Sequence, residues 1–295
     1  MMQHAAIAPE PVLRHAACPV CGAARDRVLL CLDFLAGVPA GMNLVRCRGC
    51  GTERIDPHPS PRSMANHYDD SYYQDGYLPF LARRRTDFAR RLVELERLAP
   101  ILHARRQGRP PRVLDVGAGV GLFVAEARVR GWQATGVEPS AAARRFAART
   151  CSVDLAAHWP SPGQDLDLVT FWDVLGHVDD PRAALEQARR AVRPGGEVVL
   201  KIPNFQSSWH RMLGWMSVRR RVNMIHVPTV IWRFRRHGMG RLLDQCGFSL
   251  QGVRTVREPD LIPLTPRWRL VRQATGLLDA LTDNRQEMIL HARAR

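Results

Sequence analysis

The chain has 295 residues, 45% hydrophobic and 24% charged, with 43 basic against 28 acidic residues and a formal net charge of +15. That length allows one large domain, or a medium domain with an accessory module, and the composition is that of an ordinary globular protein. No apolar run approaches the roughly 18–20 residues of a membrane span, and the opening MMQHAAIAPEPVLRHAAC lacks the basic start and unbroken apolar segment of a secretory leader, so a cytoplasmic protein is expected.

Lys201 is the only lysine; every other basic residue is arginine. The excess positive charge favours anionic partners, whether nucleic acid, phospholipid surface or phosphorylated metabolite, and solvated arginine faces account for it equally well.

Four of the seven cysteines form two pairs, Cys18-Pro-Val-Cys21-Gly and Cys47-Arg-Gly-Cys50-Gly. Two residues between the thiols and a glycine after them is the knuckle geometry of a tetrahedral zinc site. The gap between the pairs leaves room for a hairpin at 28–32 and 42–45. A redox dithiol needs only one pair, and disulfides are disfavoured in the cytoplasm. About 40 residues bury too little core to fold unaided, so the expected ion is a structural zinc held by Cys18, Cys21, Cys47 and Cys50, in a module spanning 14–55. Cys31 is a weaker substitute ligand, and Cys151 and Cys246 read as buried small residues.

Residues 56–100 form the next segment. Proline-rich at first, it then holds all four tyrosines, Tyr68, Tyr72, Tyr73 and Tyr77. Phenol rings so concentrated suit a lid that packs on a ligand and offers it hydroxyls; a linker anchored by aromatics is the alternative. A helix is expected over 81–102, with Phe88, Leu92, Leu95 and Leu98 on one buried face.

From Arg112 the pattern alternates strand and helix, the sign of a parallel sheet with crossover helices. Strands are expected at 113–116, 134–137, 153–156, 166–171 and 197–202, with helices between them, one over 120–130. Ser140 and Asp180 are placed as N-caps, and Arg193-Pro-Gly-Gly196 as a turn. Strands at 248–257 and 288–292 are expected to close the sheet as an antiparallel pair.

The turn after the first of these strands, VLDVGAGVGLF, places Gly117, Gly119 and Gly121 at alternate positions before a helix start. It lacks the Lys-Ser/Thr of a phosphate loop and the third-glycine spacing of a dinucleotide fingerprint. Glu138 ends the second strand, where an acid can accept two hydrogen bonds from a ribose diol. The residues thus point to a ribose-bearing nucleoside cofactor.

Taken in order, VLDVGAGVGLF, GVEPS, DLVTFWDVLGHVDDP and VRPGGEVVLKIPN resemble the motif set of class I S-adenosylmethionine-dependent methyltransferases. The resemblance implies an α/β fold, a doubly wound, mostly parallel Rossmann-like sheet filling 101–295, with the small zinc-ribbon-like module at its N-terminus. It also implies S-adenosylmethionine as cofactor, with Asp115, Gly117, Ala118, Gly119 and Gly121 under its amino-acid part and ribose. Glu138 and Pro139 would lie at the ribose, Trp172 and Asp173 beside the methionine moiety, and Tyr73 and Tyr77 over it from the lid. Many relatives have Glu before the histidine of the fourth-strand loop; here Gly176 precedes His177.

Residues 205–245 read as a cap insertion rich in Trp and Arg, suited to a ring-bearing or anionic acceptor. Methyl transfer needs alignment and, for a hydroxyl or carbon acceptor, a base. His177 is the first candidate, His226 the second and Asp173 the third. The leading expectation is methylation of a small-molecule, sugar or glycan acceptor. The competing ones are an RNA methyltransferase gripping phosphates with the zinc module and arginines, and a non-catalytic zinc- and cofactor-binding partner protein.

Overall fold

A computed structural model of the chain describes residues 13–98, 108–159, 165–257 and 265–295. At the N-terminus β1 (Leu13–Arg14) is a two-residue strand, and β2 (Asp26–Cys31), β3 (Asn43–Cys47) and β4 (Glu53–Asp56) form an antiparallel meander. Strand β5 (His58–Pro59) pairs back with β1. Helix α1 (Pro61–His67) starts at Ser60, whose hydroxyl accepts the Ser63 N–H at 3.3 Å, with proline in the first turn. Tyr68 caps the end of α1, the other three tyrosines lie in a π-helical stretch, Tyr72–Tyr77, and a short 3-10 turn runs into α2 (Leu81–Leu98). Positions 99–102 of the expected helix lie outside the described residues.

Strand β6 (Arg112–Val116), α3 (Leu122–Val129), β7 (Gln133–Val137) and α4 (Ala141–Phe146) build the first crossovers. Next come β8 (Leu166–Trp172), α5 (Pro181–Ala191) and β9 (Val192–Pro203). The cap holds α6 (Ser208–Arg220), the short β10 (Trp232–Arg233) and α7 (Arg236–Gln245). The chain closes with β11 (Phe248–Val256), α8 (Pro266–Leu281) and β12 (Glu287–Ala294).

The main sheet has the order β11-β12-β9-β8-β6-β7, parallel through β9, β8, β6 and β7, with β11 and β12 antiparallel. Strand β8, LDLVTFW, is buried on both faces, as a central parallel strand must be. Phe171 and Leu200 face a cluster that includes Leu185, Leu242 and Phe248. Leu168, Val199 and Trp172 face another with Leu92, Leu95 and Phe123. Burying each such side chain contributes about 1.5–3 kcal/mol.

The expected strand at 153–156 is reduced to one parallel bridge between Val137 and Ala156. Ser152 turns the chain with φ 54, leaving only a short extended length beside β7. Helix α3 starts two residues later than expected because Gly121, at φ 74, is its left-handed N-cap. The turn expected at 193–196 is absorbed into β9, whose pairing with β8 shifts register there.

The N-terminal sheet does not stand apart. Its order is β10-β4-β3-β2, so two residues of the cap extend it. Cys18, Val20 and Cys47 belong to the same core cluster as Phe171, Trp232 and Met239.

Candidate active site

At the carboxyl end of β6 the turn is held by the N–H groups of Gly117 and Ala118, both donating to the Val137 carbonyl at 2.8 and 3.0 Å. The three glycines serve different ends. A Cβ on Gly117 would lie 2.5 Å from Val174 Cγ2, and one on Gly121 3.2 Å from Val153, so both are required for packing. Gly119, at φ 55, has nothing within 4 Å of where its Cβ would be. It faces open space, the property of a cradle.

Glu138 closes the other side. Its carboxylate accepts the Gly119 N–H at 2.9 Å and the Ser140 N–H at 2.8 Å. Burial pushes this carboxyl up, against the pull of the two N–H donors. Asp115, buried within β6, accepts from the Thr170 hydroxyl at 2.7 Å, and burial raises its pKa to about 8, with Glu138 adding to the rise. An open glycine turn beside a held acceptor-only carboxylate fits the amino-acid end and ribose diol of S-adenosylmethionine. Pro139 follows, its carbonyl tied by Arg144 Nη1 at 2.8 Å.

The tyrosine segment is stitched to this site. The Ser140 hydroxyl donates to the Tyr68 carbonyl at 2.7 Å. Tyr73 is buried in a satellite cluster with Val120, Leu122, Ala142 and Ala143, beneath Tyr72 and Tyr77. Arg84 stacks on the Tyr77 ring at 4.1 Å, and burial raises the Tyr77 phenol to about 12.

The Tyr68 hydroxyl lies 3.0 Å from His177 Nδ1, a contact between residues 109 positions apart. Burial holds the His177 ring below the ordinary histidine value, opposed by the Asp173 charge and a hydrogen bond to the Thr229 backbone. That backbone belongs to a turn in which the His226 carbonyl accepts the Thr229 hydroxyl at 3.1 Å. His226 itself is exposed, with φ 55. The turn therefore brings Thr229, rather than the His226 ring, to His177.

Asp173 has φ 59 at the end of β8, and Lys201 Nζ reaches its Oδ2 at 2.6 Å. The sole lysine of the chain, buried, thus fixes a carboxylate at the sheet edge; its uniqueness was the available signal. Trp172 points the other way, into the core between Phe88 and Phe123, with ring centroids at 5.9 and 5.6 Å.

Gly176 has a packing reason. Its carbonyl accepts the N–H groups of Ile231 and Trp232 at 2.7 and 3.0 Å, and a Cβ there would meet the Trp232 carbonyl at 3.3 Å. The cap backbone occupies the space a larger residue needs. Gly176→Glu is expected to break this contact and lower the melting temperature by several degrees; thermal denaturation checks it.

The Sγ atoms of Cys18, Cys21, Cys47 and Cys50 all lie within 4.8 Å of one another. The contacts Cys18–Cys50 and Cys21–Cys47, 3.3 and 3.4 Å, are far longer than the ~2.05 Å of a disulfide. Four thiols converging from two knuckles, half of them buried, form a donor set that could hold one tetrahedral metal. Cys31 is exposed and outside this set; Cys246 is buried.

A sequence family described as a methyltransferase domain matches residues 81–252. A ubiquinone biosynthesis O-methyltransferase of Alkalilimnicola ehrlichii is 34% identical over 105 residues, 32% of this chain and 42% of that protein. One of Chromobacterium violaceum is 29% identical over 164 residues, 50% of this chain and 68% of that protein. The chain thus spans about two fifths of the first curated relatives it matches.

Among solved structures, magnesium protoporphyrin IX methyltransferase from Synechocystis, with bound S-adenosylhomocysteine, superposes with a TM-score of 0.51 at 13% identity, covering 79% of this chain and 100% of that one. The Haloferax volcanii complex of the Trm112 activator and a methyltransferase gives 0.51 at 15% identity, over 76% of this chain and 96% of that one. These likenesses concern the fold. With the family match over more than half of its length, the chain belongs to the methyltransferase-domain family, the class I S-adenosylmethionine-dependent methyltransferases.

Proposed function

We propose that this protein methylates a hydroxyl of a small, ring-bearing acceptor, with Tyr68 and His177 removing the proton. The observation that carries this is the 3.0 Å contact between the Tyr68 hydroxyl and His177 Nδ1, beside the turn at Gly119 and Glu138. Relatives named O-methyltransferases support the same chemistry.

The cofactor supplies a methyl group already activated on a sulfonium. Gly119 and Glu138 would seat it, and the acceptor would lie under the cap, where the edge holds Tyr68, Asp173 and His177. As the acceptor oxygen gains the methyl group, its proton passes to the Tyr68 oxygen while the Tyr68 proton moves to Nδ1. The imidazolium so formed is stabilised by the Asp173 charge and the Thr229 backbone. Because burial favours the neutral ring, His177 is ready to accept at pH 7.

Tyr68→Phe is expected to lower kcat by about 10²–10³-fold with little change in S-adenosylmethionine affinity. Labelled methyl transfer onto a panel of phenolic and enolic acceptors, with calorimetry of the cofactor, measures both; an undiminished kcat would overturn the assignment. The pH profile carries a second check. A lowered histidine pKa keeps the base neutral to lower pH, so the acid limb of the rate profile should lie below the ordinary histidine range. His177→Asn should remove that acid limb.

We also propose that the cysteine cluster holds a structural zinc, which fits thiols kept reduced in a cytoplasmic setting. On this reading residues 14–55 form the zinc module, 56–100 the lid and its helix, and 101–295 the catalytic domain with its cap at 205–245.

A further inference from the structure

Helix α8 is built inside out. Positions 270, 277 and 281 share one face by helical spacing, and Leu270, Leu277 and Leu281 are 67%, 65% and 78% exposed. Leu278, beside them, is 53% exposed. The face turned to the protein carries Arg272 and Asp279, both buried. Asp279 accepts the Ser208 N–H at 2.7 Å, at the start of α6, and Arg272 lies over the Trp209 ring at 4.6 Å. These polar ties fix the rotation of α8, since turning the leucines inward would break them.

The exposed charges of α8 and α6 have one sign. Arg267 and Arg269 are exposed on α8, whose only acid is the buried Asp279. Helix α6, packed against α8 through Trp209 and Trp268, carries Arg211, Arg219 and Arg220 and no acid. It also exposes Trp215, by 64%. Leucines outward, an exposed tryptophan and flanking arginines form the pattern of an interfacial helix that lies in the headgroup layer of an anionic bilayer. It differs from a span: among the described residues no helix is long and apolar enough to cross a membrane.

We infer that the outer face of α8, with the arginines of α6, docks the protein on an anionic phospholipid surface. A water-facing apolar stripe of this kind is otherwise a cost in solubility, and the arginines match a negative lipid surface where a second copy of the same basic face would repel it. The inference is independent of the acceptor.

Co-sedimentation of the full chain with vesicles tests it, using phosphatidylcholine alone and phosphatidylcholine mixed with one third phosphatidylglycerol. Binding to the mixed vesicles is expected, falling steeply with salt and about tenfold or more weaker on the neutral ones. The double variant Leu277→Glu/Leu281→Glu should lose about tenfold or more of that binding while keeping S-adenosylmethionine affinity by calorimetry, which shows it folded. No binding by the wild type, equal binding to both vesicles, or full binding by the folded variant would each overturn the proposal. So would a dimer that the same substitutions dissociate and that forms without vesicle binding.

Discussion

Gly119→Arg is expected to abolish S-adenosylmethionine binding, weakening it by more than about 100-fold, while the fold survives. A non-glycine residue at φ 55 costs about 1–2 kcal/mol of backbone strain. A Cβ there meets nothing within 4 Å, so the guanidinium arm projects into the open side of the turn, where a ligand would sit.

Gly119→Ala separates strain from occlusion. It carries the same backbone cost with little bulk and should lose less than about tenfold. Gly117→Ala should behave in the opposite sense. Its Cβ would be 2.5 Å from Val174 Cγ2, so its effect should be a lower melting temperature. Calorimetry with thermal denaturation on all three variants distinguishes these cases. Binding unchanged in Gly119→Arg would remove this turn from the cofactor site.

Metal analysis is expected to give about one zinc per chain, and Cys47→Ser to lose it together with much of the stability of the whole protein. Zinc held by four thiolates contributes on the order of 10 kcal/mol to a module of this kind. Here that loss should not stay local. Cys18, Val20 and Cys47 pack in the cluster that holds Phe171 and Trp232. The Ile55 N–H donates to the Ile231 carbonyl at 2.9 Å, and the Ile231 N–H donates in turn to Gly176 at 2.7 Å, one residue before His177.

A melting temperature lower by more than about 10 °C, with loss of methyl transfer, is therefore expected for Cys47→Ser or after chelation. A metal-free protein that melts as the untreated one does would show that the cysteines need no ion. Loss of zinc with activity intact would show the module to be uncoupled from the site.

Local chemistry was legible wherever it is set by neighbours in the chain. Asp180 caps α5, accepting the Ala183 N–H at 3.0 Å, and Ser140 caps α4 at 3.2 Å, each from its own helix start. Cysteine spacing predicted a convergence that the four sulfurs show. The same kind of reasoning overcounted a strand at 153–156, where a suitable composition met a chain that turns away after one bridge. It also gave no hint of β10, whose two residues form a strand only because β4 offers an edge.

The α8 face shows a second limit. No helix was expected at 266–281, and which side of α8 meets the protein is decided by Asp279 bonding the start of α6.

By itself, then, the sequence determined the parts that depend on short spacing: the glycine turn, the acid at the end of the next strand, the cysteine knuckles and the alternation of strand and helix. Those features fix backbone dihedrals and ligand spacing within a few residues, so no distant contact is needed to read them. Only the tertiary structure decided what surrounds them. It separated Gly119, which faces open space, from Gly117 and Gly121, which face side chains. It set Tyr68 on His177 and Lys201 on Asp173. It turned Trp172 into the core beside Phe123 and left His226 exposed. Each of these outcomes depends on which strands and helices lie side by side, a choice made by packing over the whole sheet.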